Sequence, residues 1–316
     1  MFPIRFVPAN TSIPFISMRR ASFLISALMT VGSIVVFLMM GLNFGVDFRG
    51  GILIEVRTQG PADVGAMRNN LSSLNIGEVN LQLFGEPNEV LINIQRQEGD
   101  EKQQIKAIET VKGALGPGIE YRRTEFVGPK VGEELKEAGT WAVMLSLGAI
   151  LVYIWFRFEW QFGIAAIVAT MHDVFSTIGL FALLQLEFNL STLAAILTIA
   201  GYSINDTVVV FDRIRETLRR YKREPLANVL NRAINDTLSR TTMTSFTTLL
   251  AVLALYIFGG EVIRGFSLAM IWGIMVGTYS SIFVASPLLL YLNVRRQGRG
   301  EAGEKPETEE APAEAG

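Results

Sequence analysis

The 316-residue sequence has no cysteine and a single histidine, His172. Without thiols it forms no disulfide and no thiolate metal site. One imidazole falls short of the ligand set a zinc site uses, so no metal site is expected. An excess of charge is missing too: 28 Lys and Arg against 30 Asp and Glu leave a net charge of −2. That balance lacks the basic surplus of a nucleic-acid-binding protein. No phosphate-cradling glycine loop, Gly-x-Ser-x-Gly elbow or zinc-ligand spacing occurs. Nothing marks the chain as an enzyme, and no segment points to ATP or to a bound cofactor. What is plentiful is apolar surface. Half of the residues are hydrophobic, too many for an ordinary soluble protein of this length.

Six runs approach the length of about 20 residues that crosses a bilayer: 21–42, 139–156, 162–184, 190–212, 241–258 and 265–292. The first follows Arg19 and Arg20. It is longer than a signal-peptide core of about 7–15 residues and has no cleavage pattern after it, so it reads as an uncleaved first helix. Arg5, Arg19, Arg20, Arg157, the basic stretch Arg213–Arg232 and Arg295, Arg296 and Arg299 all fall on one side. The loop at 185–189 has no basic residue, and 259–264 has only Arg264. Positive loops stay inside. The expectation is a cytoplasmic stub at 1–20, cytoplasmic termini and a periplasmic region at 43–138.

That region patterns as a folded α+β domain. Ile52, Ile54 and Val56 alternate with Leu53, Glu55 and Arg57, as in a strand. Pro61 opens a helix with Val64, Met67, Leu71 and Leu74 on one face. Two strands over 78–84 and 89–95 flank a turn, a second helix covers 100–115, and a last strand covers 119–127. The order βαββαβ is the ferredoxin-like arrangement. The fold class is thus a polytopic α-helical membrane protein, with one periplasmic ferredoxin-like domain and a five-helix remainder at 139–292. A short helix over 130–138 leads into span two. An amphipathic helix at about 224–238, with Val229, Leu230, Ala233 and Ile234 in one stripe, is expected to lie on the membrane surface, mainly as an elbow joining two spans. Ala269, Gly273, Gly277, Ser281 and Ala285 form a small-residue ridge for close packing within the bundle. The segment 293–316, rich in Glu, Ala, Gly and Pro, reads as a disordered cytoplasmic tail.

The stretch 199–215, IAGYSINDTVVVFDRIR, places Ser203, Asn205 and Asp206 inside an apolar run. A carboxylate at that depth costs about 2.5–3.5 kcal/mol on insertion scales and needs a partner, a cavity or an ion path. Asp206 lies about 9 Å from the cytoplasmic end of its span at 1.5 Å per residue. Arg240 begins the antiparallel next span, so the two can share a depth. Burial favours a protonated acid and a nearby cation favours an ionised one, so a motion between them could move a proton. A static Asp206–Arg240 pair fits the spacing equally well. His172 and Asp173 sit mid-way along span three as further relay candidates, pointing about 100° apart on an ideal helix. Asp47, Arg49, Gly50 and Gly51, in the turn VDFRGG, read as a structural junction in which Asp47 and Arg49 can interact.

With these motifs, the chain resembles the SecF family, the smaller membrane subunits of the SecD–SecF accessory complex of the bacterial protein-export translocase. The carriers are VDFRGG at 46–51, His172–Asp173, GYSINDTVVVFDRIRE at 201–216, LSRT at 238–241 and FGG at 258–260. The resemblance covers nearly all of the chain. It implies an inner-membrane protein that pairs with SecD, joins SecYEG with YajC and YidC, and uses protons as the coupling ion to promote preprotein translocation. It also implies that Asp206 and Arg240 are proton-pathway residues. A half of a small-molecule or lipid exporter, and a passive scaffold, are the alternatives.

Overall fold

The computed structural model describes residues 8, 11–74, 76, 77, 79–95, 97, 101–260, 263–292 and 294. The expectations for Arg5, Arg295, Arg296, Arg299 and the tail other than Val294 lie outside these residues. So do those for Glu78 and Asp100 as element ends.

A 3-10 turn, Phe15–Met18, leads into α1 (Arg19–Met40). Then come β1 (Asn43–Phe44), α2 (Val46–Arg49), β2 (Gly51–Arg57), α3 (Val64–Ser72), β3 (Val79–Leu83), β4 (Glu89–Ile94), α4 (Glu101–Leu115) and β5 (Glu120–Val127). The chain continues through α5 (Pro129–Arg157), α6 (Trp160–Leu184), β6 (Glu187–Phe188), α7 (Leu190–Arg220), α8 (Leu226–Phe258) and α9 (Arg264–Ser280). A π turn, Ser281–Ala285, joins α9 to α10 (Ser286–Leu288). Six stretches are long and apolar enough to cross a membrane, as expected.

The α+β domain has the ferredoxin-like order β3-β4-β2-β5, antiparallel throughout. Ile52, Ile54, Val56, Val90 and Ile92 pack under Leu71, Ala107 and Val111 of α3 and α4. Helix α3 begins at Val64, not at Pro61, because the Asp63 carboxylate caps it by accepting from the Ala66 N–H at 2.9 Å. Strand β2 is buried on both faces: Leu53 and Glu55 are covered too. A β-bulge after Glu55 skips Arg122, so Arg122 and Arg123 both lie on the face away from the helices. There Glu89 accepts from Arg122 at 2.6 Å and from Arg57 at 2.5 Å.

In the bundle, α6, α7 and α9 are the inner helices, and α1, α5 and α8 surround them with mostly exposed apolar faces. The small-residue ridge of α9 packs inward as expected. A Cβ on Gly273 would strike Ile199, and one on Gly277 would touch Ser203 and Asp173. Two boundaries differ from the sequence reading. Helix α5 runs unbroken from Pro129, with no separate lead-in helix. Helix α8 runs unbroken from Leu226, so the expected surface helix is the first part of span five. Its stripe Val229, Leu230, Ala233 and Ile234 is buried with Phe211, Ile214 and Leu218 of α7. A protein partner within the chain takes the apolar face that the periodicity assigned to lipid. The stub docks on the polar side of the same helix, where Asn235 accepts from the Ile13 N–H and donates to the Ile13 carbonyl, both at 2.9 Å.

Candidate functional site

Two buried carboxylates occupy the inner bundle, and one pair of adjacent serines joins them. Asp173 on α6 is wholly buried. Its Oδ2 accepts from Ser203 on α7 at 2.5 Å and from Ser280 on α9 at 2.7 Å. Its Oδ1 lies 2.8 Å from His172 Nδ1. The 100° separation of neighbouring helix positions does not keep this pair apart, because both side chains lean together. With Asp173 ionised, Nδ1 is the donor, and buried His172 Nε2 has no partner among the described residues. Burying an ionised group costs several kcal/mol, and hydrogen bonds to a charged group return about 1.5–3 kcal/mol each. Three such bonds are enough to hold Asp173 in place.

Asp206 on α7 is buried one turn further along. Its Oδ2 accepts from Ser281 at 2.7 Å, and no donor among the described residues reaches its other oxygen. Thr241 on α8 is close enough to interact but lies outside hydrogen-bond geometry, and its buried hydroxyl has no partner among the described residues. The buried Thr207 hydroxyl is also without one. Asp206 is thus held by one neutral donor among unsatisfied hydroxyls, whereas Asp173 is fully tied.

The backbone at the serine pair is irregular for a stated reason. Pro287 lacks an N–H and leaves the Phe283 carbonyl without its helical donor. Ser22 of α1 supplies one at 3.2 Å. Ser286 Oγ bonds the Ser281 carbonyl five residues back at 2.8 Å. The π turn therefore starts at the residue that holds Asp206, a placement common at functional sites. Tyr279, one residue before the pair, donates to the Ser22 carbonyl at 3.0 Å and lies over His172 at 6.2 Å.

Arg240 makes no ion pair with Asp206; it is exposed and acts on the acid only through space. It belongs to a stripe on α8 with exposed Thr244, Thr247 and Ala251. Beside it, α7 presents exposed Ala194, Thr198, Gly201 and Asn205. Asn205 is therefore on the outer face, apart from the relay candidates His172, Asp173 and Ser203 that the bundle brings together. A hydroxyl chain runs inward from this seam: Tyr202 donates to Ser245 at 3.3 Å, and Ser245 and Thr278 lie 2.6 Å apart. Sequence reasoning missed Ser280 and Thr278, and took Ser281 for a packing residue only. The one signal available was a run of hydroxyls, 278–281, in an otherwise apolar span.

At the domain end, Asp47 does not meet Arg49. Its carboxylate accepts from the Leu190 N–H at 2.8 Å, at the start of α7, the helix that carries Asp206. Beside it, β1 pairs in parallel with β6. A Cβ on Gly45 would meet the Glu187 carboxylate at 2.5 Å, so a larger residue there displaces that side chain. Gly50 and Gly51 adopt positive φ, and Gly132 of α5 packs on the Gly50 backbone. Glu187 faces Asp47 and the domain residues Arg123 and Glu125. Burial first, then the nearby Asp47 charge, push its carboxyl above the usual range, against the pull of Arg123.

The chain has relatives among proteins of known family and structure. The family model for protein export membrane protein SecD/SecF, C-terminal, matches residues 107–295, and the SecD/SecF GG motif matches residues 35–62. Protein translocase subunit SecF of Rickettsia rickettsii is 46% identical over 293 residues, covering 92% of this chain and 94% of that one. The corresponding subunit of Rhodobacter capsulatus is 44% identical over 310 residues, covering 93% of each. The crystal structure of SecDF, a translocon-associated membrane protein from Thermus, superposes with a TM-score of 0.83 at 38% identity, covering 93% of this chain and 40% of that one. SecDF in a super-membrane-facing form gives 0.64. The chain thus spans two fifths of the SecDF chain that it matches.

Proposed function

The chain belongs to the SecD/SecF family of protein-export membrane proteins, and from that premise we propose that it couples proton movement to preprotein translocation as a SecF-type translocase subunit. The observation that carries the coupling is Asp206: a buried acid on one neutral hydrogen bond, with an exposed cation, Arg240, on an open seam beside it. Asp206 gains a proton from one side and gives it up to the other. When ionised it draws Arg240 and Thr241 toward α7; when protonated it rests on Ser281 alone. Each charge carried across 100 mV is worth about 2.3 kcal/mol, enough to shift α8 against α7. Asp173, Ser203 and His172 form the relay that continues toward the domain end, and Ser280–Ser281 ties both acids to one turn of α9.

The partner is SecD. Exposed Asn205 and Arg240 are costly to leave in lipid, whereas Thr198, Thr244 and Thr247, whose hydroxyls bond their own backbone, make the small polar surface that suits a helix–helix interface. A second membrane subunit over that seam would close the path. SecYEG, YajC and YidC are further partners on family grounds alone. The arginine bias supports an inner-membrane protein with cytoplasmic termini and a periplasmic α+β domain that handles the emerging preprotein. The test is export of a reporter preprotein in membrane vesicles, with and without an imposed proton gradient, in wild type and Asp206→Asn, with SecD co-purification checked. The gradient-dependent part should vanish with the complex intact. Undiminished gradient-dependent export would make Asp206 a packing residue and the chain a scaffold.

A further inference from the structure

We propose that the cleft between the end of α5 and the end of α7 binds the phosphate of an anionic phospholipid headgroup. The cleft has a volume of about 580 Å³ and is lined by Arg157, Asp212, Arg215, Glu216, Arg219 and Arg220. Four arginines there face two acids, and both acids are already engaged. Asp212 receives Arg157 Nη2 at 2.8 Å on both oxygens, and Glu216 is taken by Arg213, outside the cleft, at 2.6 Å. Arg215 only grazes Asp212, at 4.0 Å. Arg219 has no ion pair among the described residues. The surplus is therefore positive and open to an incoming anion.

The arginines are also pre-positioned. The guanidinium groups of Arg157 and Arg215 lie over the buried Phe158 ring, at 5.0 Å and 5.4 Å from its centroid. Arg215 also donates to the Arg157 carbonyl at 3.3 Å, which caps the end of α5. Held this way, planar guanidinium forks match a phosphate bidentately and lose little freedom on binding.

Depth in the membrane decides the source of the phosphate. Trp155, Phe156 and Trp160 flank Arg157 and Phe158 in sequence and are 73%, 86% and 59% exposed. Exposed aromatic side chains beside a basic cluster at the ends of spanning helices mark the level of lipid headgroups. Basic pockets between such helices suit acidic headgroups. A lipid offers both a phosphate for the arginines and acyl chains for the aromatic rings; a free phosphate offers only the first. The site needs only that the chain crosses a membrane, and it is independent of the proton path.

The experiment uses the complex with SecD, purified in neutral detergent and mixed with phosphatidylglycerol or phosphatidylcholine, with retained lipid read by native mass spectrometry. Phosphatidylglycerol should be retained over phosphatidylcholine by about tenfold. Arg219→Gln/Arg220→Gln, both at exposed positions, should erase that preference. Lys222→Gln/Arg223→Gln, just beyond the cleft, should preserve it. Equal retention of the two lipids would overturn the proposal. So would equal loss in both double variants, which would indicate diffuse charge. Displacement by millimolar inorganic phosphate would also overturn it, as a soluble-anion site.

Discussion

A carboxyl group whose proton affinity is raised by burial leaves a signature in pH dependence, and Glu187 is the residue where this can be read. The native state holds its proton more tightly than the unfolded chain does. Between the two pKa values the folded form binds more protons, so stability falls as pH rises through that window. The contribution is fully present below the unfolded value and lost above the folded one. Thermal unfolding of the wild type should therefore move to lower temperature from mildly acidic to neutral pH by more than in Glu187→Gln. Parallel shifts in the two proteins would mean that Glu187 is not the group responsible. Glu187 escaped the sequence reading because a single acid in a short loop carries no pattern. Asp206 did not escape, because an acid inside an apolar run stands out against its cost. The serines opposite it were nearly invisible. A hydroxyl in a membrane helix can satisfy itself on its own backbone, as Thr177 does on the Asp173 carbonyl at 2.9 Å. Only the fold shows that Ser280 and Ser281 reach outward to two different acids.

Elements were legible where length decided them and illegible where continuity did. All six spans follow from apolar length, and the βαββαβ order follows from alternation and turn residues. The polar beginnings of α5 and α8 hid the fact that each continues unbroken into a span. The two-residue pairing of β1 with β6 joins segments 144 positions apart, Asn43 with Glu187, and has no local signal. That pairing brings Asp47 to the start of α7. Asn189 is the N-cap of this helix, and Asp47 adds an acceptor for the free Leu190 N–H from outside it, a hydrogen bond worth about 0.5–1.5 kcal/mol that an asparagine carbonyl can also accept. Asp47→Ala should lower the unfolding temperature of the purified protein while Asp47→Asn leaves it nearly unchanged. Equal loss in both would assign Asp47 to its charge rather than to this hydrogen bond.

On the scale of the whole molecule, the chain is an open half. Its inner helices bury two acids, yet the seam of α7 and α8 leaves Arg240 and a row of threonines uncovered. Gly201 lies on that seam with nothing within 4 Å of a Cβ built there. Gly201→Trp should therefore fold as wild type does, yet fail to retain SecD on purification. Full retention would move the interface to another face. This openness could not be read from the sequence, where Thr198 and Asp206 are only eight positions apart on one span. In the structure, Thr198 is exposed on the seam and Asp206 is turned inward to Ser281. The central claim is that Asp206 changes its protonation with the gradient. It is tested most directly by the infrared difference spectrum of the reconstituted complex as a proton gradient is imposed and collapsed. The account predicts a protonated-carboxyl band that changes with the gradient and is absent in Asp206→Asn. A spectrum indifferent to the gradient, or a band that survives Asp206→Asn, would contradict it.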